Sequence, residues 1–234
     1  MNKTNIPWVA SNDGRKGYSW NVGTGCMHGC AYCYAKELYR RYGWSFVPTF
    51  HRDRLVEPRK LKEPSRIFAG SVCDYGGSWL WQVKGSDRRI PRSVVLDLVL
   101  GVVKQCPQHT FIFLTKNVPG FCDVKWPSNT IVGASADNHD DAARRSAELG
   151  TIAAPIKCLS LEPLLEDVAE WVYWPNVNWL IIGGCTGRMK FQPAAEWIDK
   201  LVERAGWFGV PVFIKPNARY LTERREWPIE RALV

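Results

Sequence analysis

Short apolar runs alternate with helical patterns along most of this chain of 234 residues. The predicted strands are 18–22, 66–73, 110–115, 130–135, 156–161, 179–182 and 211–214. These runs are almost continuously apolar, which is typical of parallel strands that are covered by helices. The helices predicted between them are 33–42, 91–105, 138–149 and 193–205. With right-handed crossovers, this order predicts an α/β fold, namely a partial (open) β/α barrel of six to seven parallel strands.

The domain organisation follows from composition. No repeat, low-complexity tract or linker divides the chain, so we predict one domain over residues 1–234, with 1–17 as an N-terminal extension and 217–234 as a C-terminal tail. Residues 43–65 and 74–90 are rich in Pro, Gly and charge and are predicted to be long loops or insertions. No run approaches the ~20 apolar residues that cross a bilayer. We therefore expect a cytoplasmic protein with no membrane partner.

Three cysteines lie close together in the run Cys26-Met-His-Gly-Cys30-Ala-Tyr-Cys33. Three thiolates at this spacing can hold three irons of a cubane iron–sulfur cluster and leave the fourth iron without a protein ligand. Clusters that only transfer electrons normally have cysteine on every iron. An open iron can bind a small molecule, so the pattern favours an enzyme.

Three other interpretations of these cysteines remain. A structural zinc site would use Cys26, His28, Cys30 and Cys33, but His28 is only two residues from two of the thiols, which is cramped for one tetrahedron. Disulfides are disfavoured because the N-terminus carries no apolar signal segment. Buried core thiols are common, yet three cysteines within eight residues of a polar loop do not fit that pattern.

The positive charge is concentrated in one segment. The net charge is +8, and residues 36–92 contain thirteen Lys or Arg against six Asp or Glu. Basic side chains with stacking rings are typical of a nucleic-acid surface, although a solvated basic face above ordinary core aromatics is the alternative. The interleaved aromatic residues are Tyr39, Tyr42, Trp44, Phe46, Phe50, Trp79 and Trp81.

Polar or reactive residues follow almost every predicted strand. Functional side chains of β/α barrels lie at the carboxyl ends of the strands, so we expect these residues to surround the cysteines at one rim. The last strand, for example, is followed by Lys215-Pro216-Asn217. The other candidates are Tyr32, Cys73, Asp74, Lys116, Ser135, Asp137, Glu162, Gly183, Gly184 and Cys185.

The CxxxCxxC pattern with Tyr32 before its last cysteine resembles the signature of the radical S-adenosylmethionine (radical SAM) superfamily. Further motifs resemble a radical SAM-like family that is frequent in phages and prophages, most of whose members have no assigned reaction. A more distant similarity is to spore photoproduct lyase. The family resemblance spans residues 18–216 and is carried by Trp20-Asn21, Gly-Ser71-x-x-Asp74, Leu-Thr-Lys116, Ser-x-Glu162-Pro163-Leu and Ile-Gly-Gly184.

The resemblance implies two cofactors, a [4Fe–4S] cluster on Cys26, Cys30 and Cys33, and SAM on its open iron. One electron from the reduced cluster then cleaves SAM to a 5′-deoxyadenosyl radical, which abstracts hydrogen from the substrate. The cofactors carry this chemistry, while the protein aims the radical. The resemblance also implies an external one-electron donor of the flavodoxin type.

The resemblance further implies that residues at the rim contact SAM. Tyr32 and Asp137 are two of these residues. Lys116 and Ser135 would contact SAM, with Lys116 as a point charge on the methionyl carboxylate. Backbone at Gly183 and Gly184 would let the adenine approach closely. Glu162 would accept from a ribose hydroxyl or from the amine of SAM. The alternatives are a solvated strand end for Lys116 and a structural ion pair for Glu162.

Two cysteines depart from the family pattern, Cys73 in place of a serine and Cys185 in place of a glutamate. In spore photoproduct lyase, a cysteine near the end of the second strand gives a hydrogen atom to the product radical. Cys73 or Cys185 is therefore a candidate hydrogen-atom donor, with Asp74 as a candidate substrate contact. The alternatives are small rim residues without a role and, for Asp74, the cap of a local turn.

Together these observations predict a radical SAM enzyme that acts on a nucleic acid or nucleotide, in base modification or repair. The substrate would enter from the basic, aromatic segment 36–92. One alternative keeps the radical chemistry but uses a peptide or small metabolite as substrate. The other is a non-catalytic nucleic-acid-binding protein that is stabilised by a metal.

Overall fold

The computed structural model of this protein describes residues 1–185 and 189–228. The last residues of the predicted C-terminal tail, 229–234, and residues 186–188 after the sixth predicted parallel strand lie outside this range. The described strands are β1 (Asn2–Lys3), β2 (Tyr18–Trp20), β3 (Gly23–Thr24), β4 (Thr49–Phe50), β5 (Arg66–Ala69), β6 (Trp81–Val83), β7 (Arg89–Ile90), β8 (Thr110–Thr115), β9 (Thr130–Ser135), β10 (Ile156–Leu161), β11 (Trp179–Ile182) and β12 (Val212–Ile214). The described α-helices are α1 (Tyr34–Arg41), α2 (Arg92–Lys104), α3 (His139–Glu148) and α4 (Ala195–Trp207).

An eight-stranded sheet contains every strand predicted from the apolar runs. Its order is β1-β2-β5-β8-β9-β10-β11-β12. All neighbours from β2 to β12 are parallel, and only β1 runs antiparallel to β2. The α/β class and the large parallel sheet are therefore confirmed, while the curvature of a partial barrel stays a prediction. Because the strands are parallel, their carboxyl ends meet along one edge.

The two faces of this sheet are covered differently. Helix α2 covers one face with Val95, Val99 and Val103, which are fully buried in the main core. On the other face, Trp8 packs against strand residues such as Phe68, and the two ring centroids are 4.9 Å apart. Trp227 packs there against Trp179 at 4.5 Å. The predicted N-terminal extension and C-terminal tail therefore both contribute to the core.

A second sheet, in the order β3-β4-β6-β7, corrects the prediction that segments 43–65 and 74–90 are loops. Strand β4 lies in the first segment, and β6 and β7 lie in the second. Phe50 and Trp81 are buried in this sheet, and the Trp81 ring fills the space where a Cβ of Gly23 would stand. The loop prediction was wrong at these three strands, because strands of two or three residues carry no periodic signal.

One predicted strand is shorter than expected for a local reason. The run 66–73 predicted a strand to Cys73, but β5 ends at Ala69. Gly70 follows with a φ of +88°, a conformation that glycine adopts without strain. The chain turns there, so Ser71, Cys73 and Asp74 lie on a loop above the carboxyl edge rather than in the sheet. No helix in the described part of the chain is long and apolar enough to cross a membrane.

Gly133→Ala is expected to destabilise the protein by about 1–3 kcal/mol, the usual cost of overpacking a core. A Cβ at Gly133 in β9 would lie 2.2 Å from Cys158 Sγ and 2.3 Å from the Cys158 carbonyl oxygen in β10. The control is Gly101→Ala in α2, where no atom lies within 4 Å of the added Cβ. Alanine should stabilise that helix by about 0.5–1 kcal/mol. Urea unfolding of both variants measures the difference, and equal midpoints would contradict the prediction.

Candidate active site

A cavity of about 820 Å³ opens at the carboxyl edge of the parallel sheet. It brings together most of the site residues predicted from the sequence. Gly183 and Asp137 are not among the lining residues, although both contact residues that are. The predicted residues that line it are Cys26, Cys30, Tyr32, Cys33, Cys73, Asp74, Lys116, Ser135, Glu162, Gly184 and Cys185.

The three motif cysteines are half-buried on the loop between β3 and α1. Cys33 caps α1, because its Sγ accepts a hydrogen bond from the Lys36 amide at 3.4 Å. Burial raises the pKa of the Cys26 thiol to about 12 and also raises the pKa of Cys30. Thiols in such a site become thiolates when a metal replaces the proton. The three thiols line one cavity, and cysteine thiolates are the ligand type of iron–sulfur clusters.

His28, the fourth residue of the zinc alternative, is held by neighbouring side chains. Its Nε2 lies 2.7 Å from Asp74 Oδ2, and its ring packs edge-on against Trp79. Within residues 1–185 and 189–228, no three or more His, Cys, Asp and Glu side chains are arranged to hold a single metal ion.

Asp74 connects the cysteine loop to strand β8. Besides contacting His28 through Oδ2, it accepts hydrogen bonds from the Gly76 and Lys116 amides, both at 2.8 Å. The bond to Gly76 is the turn-capping contact expected as the alternative role of Asp74. Because the same carboxylate also bonds His28 and the end of β8, it fixes the height of the loop above the sheet.

Lys116, Tyr32 and Asp137 form a polar cluster on the β8–β9 side of the cavity. Lys116 Nζ lies 2.7 Å from the Tyr32 hydroxyl and 3.0 Å from Asp137 Oδ2, and the Tyr32 hydroxyl also donates to Asp137. Burial acts to raise the pKa of Asp137, but the charge of Lys116 and the hydrogen bonds outweigh it, so the pKa is lowered. The carboxylate stays ionised and orients the lysine. The Lys116 side chain, only 16% exposed, is thus not a solvated strand end.

A second polar cluster lies across the sheet around Glu162. Its Oε2 accepts from the Trp8 indole at 2.9 Å and from Ser160 at 3.0 Å, and Lys215 Nζ is 2.5 Å from its Oε1. The structural ion pair expected as the alternative role of Glu162 is therefore present. Neither Lys215 nor Trp8 was predicted to have a role. The position of Lys215 after the last strand was a signal, whereas nothing local marked Trp8.

Gly183 and Gly184 differ in what approaches them. A Cβ at Gly183 would lie 2.9 Å from Glu162 Oε1 and 3.2 Å from Asn217 Oδ1. The space above Gly183 is thus filled by side chains of the Glu162 cluster. The carbonyl of Gly184 accepts from Asn217 Nδ2 at 2.8 Å, and Gly184 itself lines the cavity. A Cβ at Gly184 would lie 2.6 Å from the carbonyl oxygen of Asn217, so backbone fills the space there. The approach of an adenine to this glycine pair stays a prediction.

Cys73 and Cys185 reach the cavity from different sides. Cys73 packs behind the cysteine loop, since its Sγ would be 2.9 Å from a Cβ at Gly23. Burial, reinforced by the charge of Asp74, holds the pKa of Cys73 well above its usual value. Cys185 is buried and forms an isolated β-bridge with Phe191. Both positions keep the thiol protonated, because burial also raises the pKa of Cys185.

The large parallel sheet, with its cavity and convergent polar groups at the carboxyl edge, defines an α/β protein with a candidate ligand site at the place where such sheets bind ligands. The chain belongs to the family described as "Protein of unknown function (DUF5131)", whose model matches residues 3–230. The link to phages stays a prediction. No curated protein matches the sequence.

The fold is similar to that of solved structures of spore photoproduct lyase. One, complexed with a dinucleoside spore photoproduct, is 13% identical, with a TM-score of 0.54 over 88% of this chain and 78% of that one. A cysteine-to-alanine variant with the same ligand is 12% identical, with a TM-score of 0.55 over 91% of this chain and 81% of that one. At these identities the likeness establishes the fold alone.

Proposed function

We propose that this protein is a radical SAM enzyme that acts on a nucleic acid or nucleotide. The observation that carries the proposal is the placement of Cys26, Cys30 and Cys33 on one cavity at the carboxyl edge of a sheet whose fold spore photoproduct lyase shares. A [4Fe–4S] cluster on these thiolates would supply the electron that cleaves SAM to a 5′-deoxyadenosyl radical. An external one-electron donor of the flavodoxin type would reduce the cluster.

The side chains around the cysteines divide the remaining tasks. Lys116, oriented by Asp137, offers a positive Nζ to a carboxylate in the cavity, and Tyr32 holds that Nζ from the other side. Ser135 and Gly184 line the same cavity, where Ser135 adds a hydroxyl. Glu162, with Oε1 on Lys215, is suited to accept a hydrogen bond from a hydroxyl or amine. The apolar wall of Phe68, Leu114 and Trp8 excludes water.

A nucleic-acid substrate is supported by charge and by the relatives. The segment 36–92 carries thirteen Lys or Arg against six acids, and its first helix borders the cavity. The solved spore photoproduct lyase structures contain a dinucleoside photoproduct. We therefore favour base modification or repair over a peptide or small metabolite.

Anaerobic purification, iron and sulfide analysis and incubation with SAM and dithionite test the proposal. A brown protein that forms 5′-deoxyadenosine would support it. A colourless protein that binds zinc and leaves SAM intact would overturn it. That result would favour the non-catalytic, metal-stabilised nucleic-acid-binding protein.

Cys73 or Cys185 is proposed to give the hydrogen atom of its thiol to a substrate-derived radical, since both are kept protonated beside the cavity. Alanine at the donor should lower turnover and change the product mixture, measured by chromatography of products. The control is Cys122→Ala, whose thiol lies 2.9 Å from Thr151 Oγ1 and does not line the cavity. Unchanged products and turnover in both Cys73→Ala and Cys185→Ala would end the idea.

A further inference from the structure

Helix α1 carries an exposed stripe of apolar and aromatic side chains that begins at the mouth of the cavity. Tyr34, Leu38 and Tyr42 are spaced at four-residue intervals, so they lie on one face of the helix. Their exposed fractions are 55%, 37% and 58%, and that of Trp44, just beyond the helix, is 57%. We call Tyr34, Leu38, Tyr42 and Trp44 the α1 stripe. Apolar residues exposed in a continuous row mark an interaction site.

The far end of the α1 stripe is held rigidly. Gly43 has a φ of +65° and ends the helix, and the Trp44 amide then bonds back to the Tyr39 carbonyl at 2.9 Å. The Trp44 ring stacks on Tyr42, with centroids 4.9 Å apart and planes at 22°, and meets Tyr39 edge-on at 5.5 Å. The helix-ending motif accounts for the contact with Tyr39. It does not account for the exposed faces of Tyr42 and Trp44, whose rings stack on each other while they stay open to solvent.

The near end of the stripe touches the proposed active site. The Tyr34 hydroxyl donates to the carbonyl of Ser71, and both residues line the cavity. Tyr34 follows Cys33 directly in the chain. The helix rises 1.5 Å per residue, so Tyr42 lies about 12 Å from Tyr34 along its axis. A ligand that lies on the stripe therefore leads into the cavity.

The charge beside the stripe is positive. Arg41, directly before Tyr42, is exposed on α1 and forms no salt bridge within the described residues. Lys36 is also exposed, but it is two residues from both Tyr34 and Leu38 and therefore lies on the other side of the helix. Arg40 is bound to Glu37 and is thereby partly neutralised. Aromatic faces beside unpaired cations bind single-stranded nucleic acid, because every base has a face to stack and the backbone is anionic. A duplex hides its base faces and offers only phosphates to the same surface.

We infer that the α1 stripe is a stacking track for single-stranded nucleic acid that delivers one nucleotide to the cavity. The inference deepens the proposed function and rests on its nucleic-acid substrate. Bases would stack on Trp44 and Tyr42, and Arg41 would contact phosphates. Base pairing in a duplex would block the stacking, so the track selects single strands or unpaired stretches.

Fluorescence anisotropy of the full chain with labelled oligothymidine or oligouridine tests the track. Probes of about 12 nucleotides suit the usual site sizes of roughly 4–16. Trp44→Ala should raise Kd for single strands about tenfold, the usual size of one lost base stack. Trp44→Phe keeps a ring and should stay within about twofold. Affinity should fall steeply between about 50 and 200 mM salt, and a matching duplex should bind more weakly.

The matched control is Trp207→Ala, since Trp207 is 64% exposed and has a cation, Arg204, over its ring, but lies on α4. Equal effects of Trp44→Ala and Trp207→Ala, or equal affinity for duplex and single strand, would overturn the inference. So would absence of oligonucleotide binding. If Trp44→Ala instead shifts the elution volume on size exclusion, the stripe is a contact between protein molecules and the inference is wrong.

The outcome separates this inference from the proposed function, because the binding assay needs neither SAM nor reduction. Wild-type protein that cleaves SAM but binds no oligonucleotide would retain the radical SAM class and lose the track. Wild-type protein that binds single strands through Trp44 but leaves SAM intact would retain the track and lose the enzyme.

Discussion

Cys30→Ala is expected to abolish cluster binding and all formation of 5′-deoxyadenosine. With only three cysteines to hold the cluster, the loss of one leaves two ligands, and an iron–sulfur cluster is not retained on so few. Changes in groups that merely support a metal ligand typically cost about 10–100-fold in metal affinity, so the loss of a direct ligand is expected to exceed that range. Iron and sulfide content after anaerobic reconstitution, the visible absorption of the cluster and 5′-deoxyadenosine formation measure the effect.

Cys122→Ala is the control for this substitution. Cys122 is also partly exposed, but its thiol contacts Thr151 and is not among the residues that line the cavity. It should keep the iron content and SAM cleavage of the wild type. Equal iron in the two variants would contradict the assignment of Cys30 as a ligand, and iron lost from both would point to general damage by cysteine replacement.

Lys215→Met is expected to lower the free energy of unfolding by about 2–3 kcal/mol, somewhat less than the 3–5 kcal/mol for breaking a fully buried pair. The two side chains are 21% and 15% exposed, so solvent screens the pair in part. Removal of Nζ leaves Glu162 Oε1 without its cation, while Oε2 keeps its bonds to Trp8 and Ser160. Urea denaturation of the purified protein gives the value.

Two further variants make this prediction specific. Lys200→Met removes an equally short pair, at 2.5 Å to Asp167, but the lysine there is 55% exposed, so the loss should be clearly smaller than in Lys215→Met. The double variant Lys215→Met with Glu162→Gln should recover part of the loss, because no buried charge remains unpaired. A loss in Lys215→Met no larger than in Lys200→Met would show that the pair is not important for stability.

Much of the large sheet could be predicted because each of its long strands is marked by the residues of that strand alone. The bounds of β8, β9, β10 and β11 agree with the apolar runs, since each strand is buried on both faces and reads as a continuous apolar segment. Strand β4, with two residues, has no such pattern and forms only because distant segments pair with it. The end of β5 depended on the backbone of Gly70, which periodicity does not report.

The candidate site divides in the same way. The cysteine motif and the polar residues after the strands could be found from sequence, because each is a short pattern at a recognisable place. The contact between Trp8 and Glu162 joins residues 154 positions apart and had no local signal. The exposure of Tyr34, Tyr42 and Trp44 was equally hidden, because an aromatic residue in a sequence does not state whether its ring packs inside or faces water.

By itself the sequence determined the alternation of strands and helices, the three thiols at cluster spacing and the segment that carries most of the net positive charge. These are properties of neighbouring residues, and neighbours stay neighbours in any fold. Only the tertiary structure decided that Lys116 is oriented by Asp137, that Lys215 pairs with Glu162 and that the α1 stripe starts at the cavity. Those contacts depend on how far-apart segments pack, because burial and pairing are set by the whole chain.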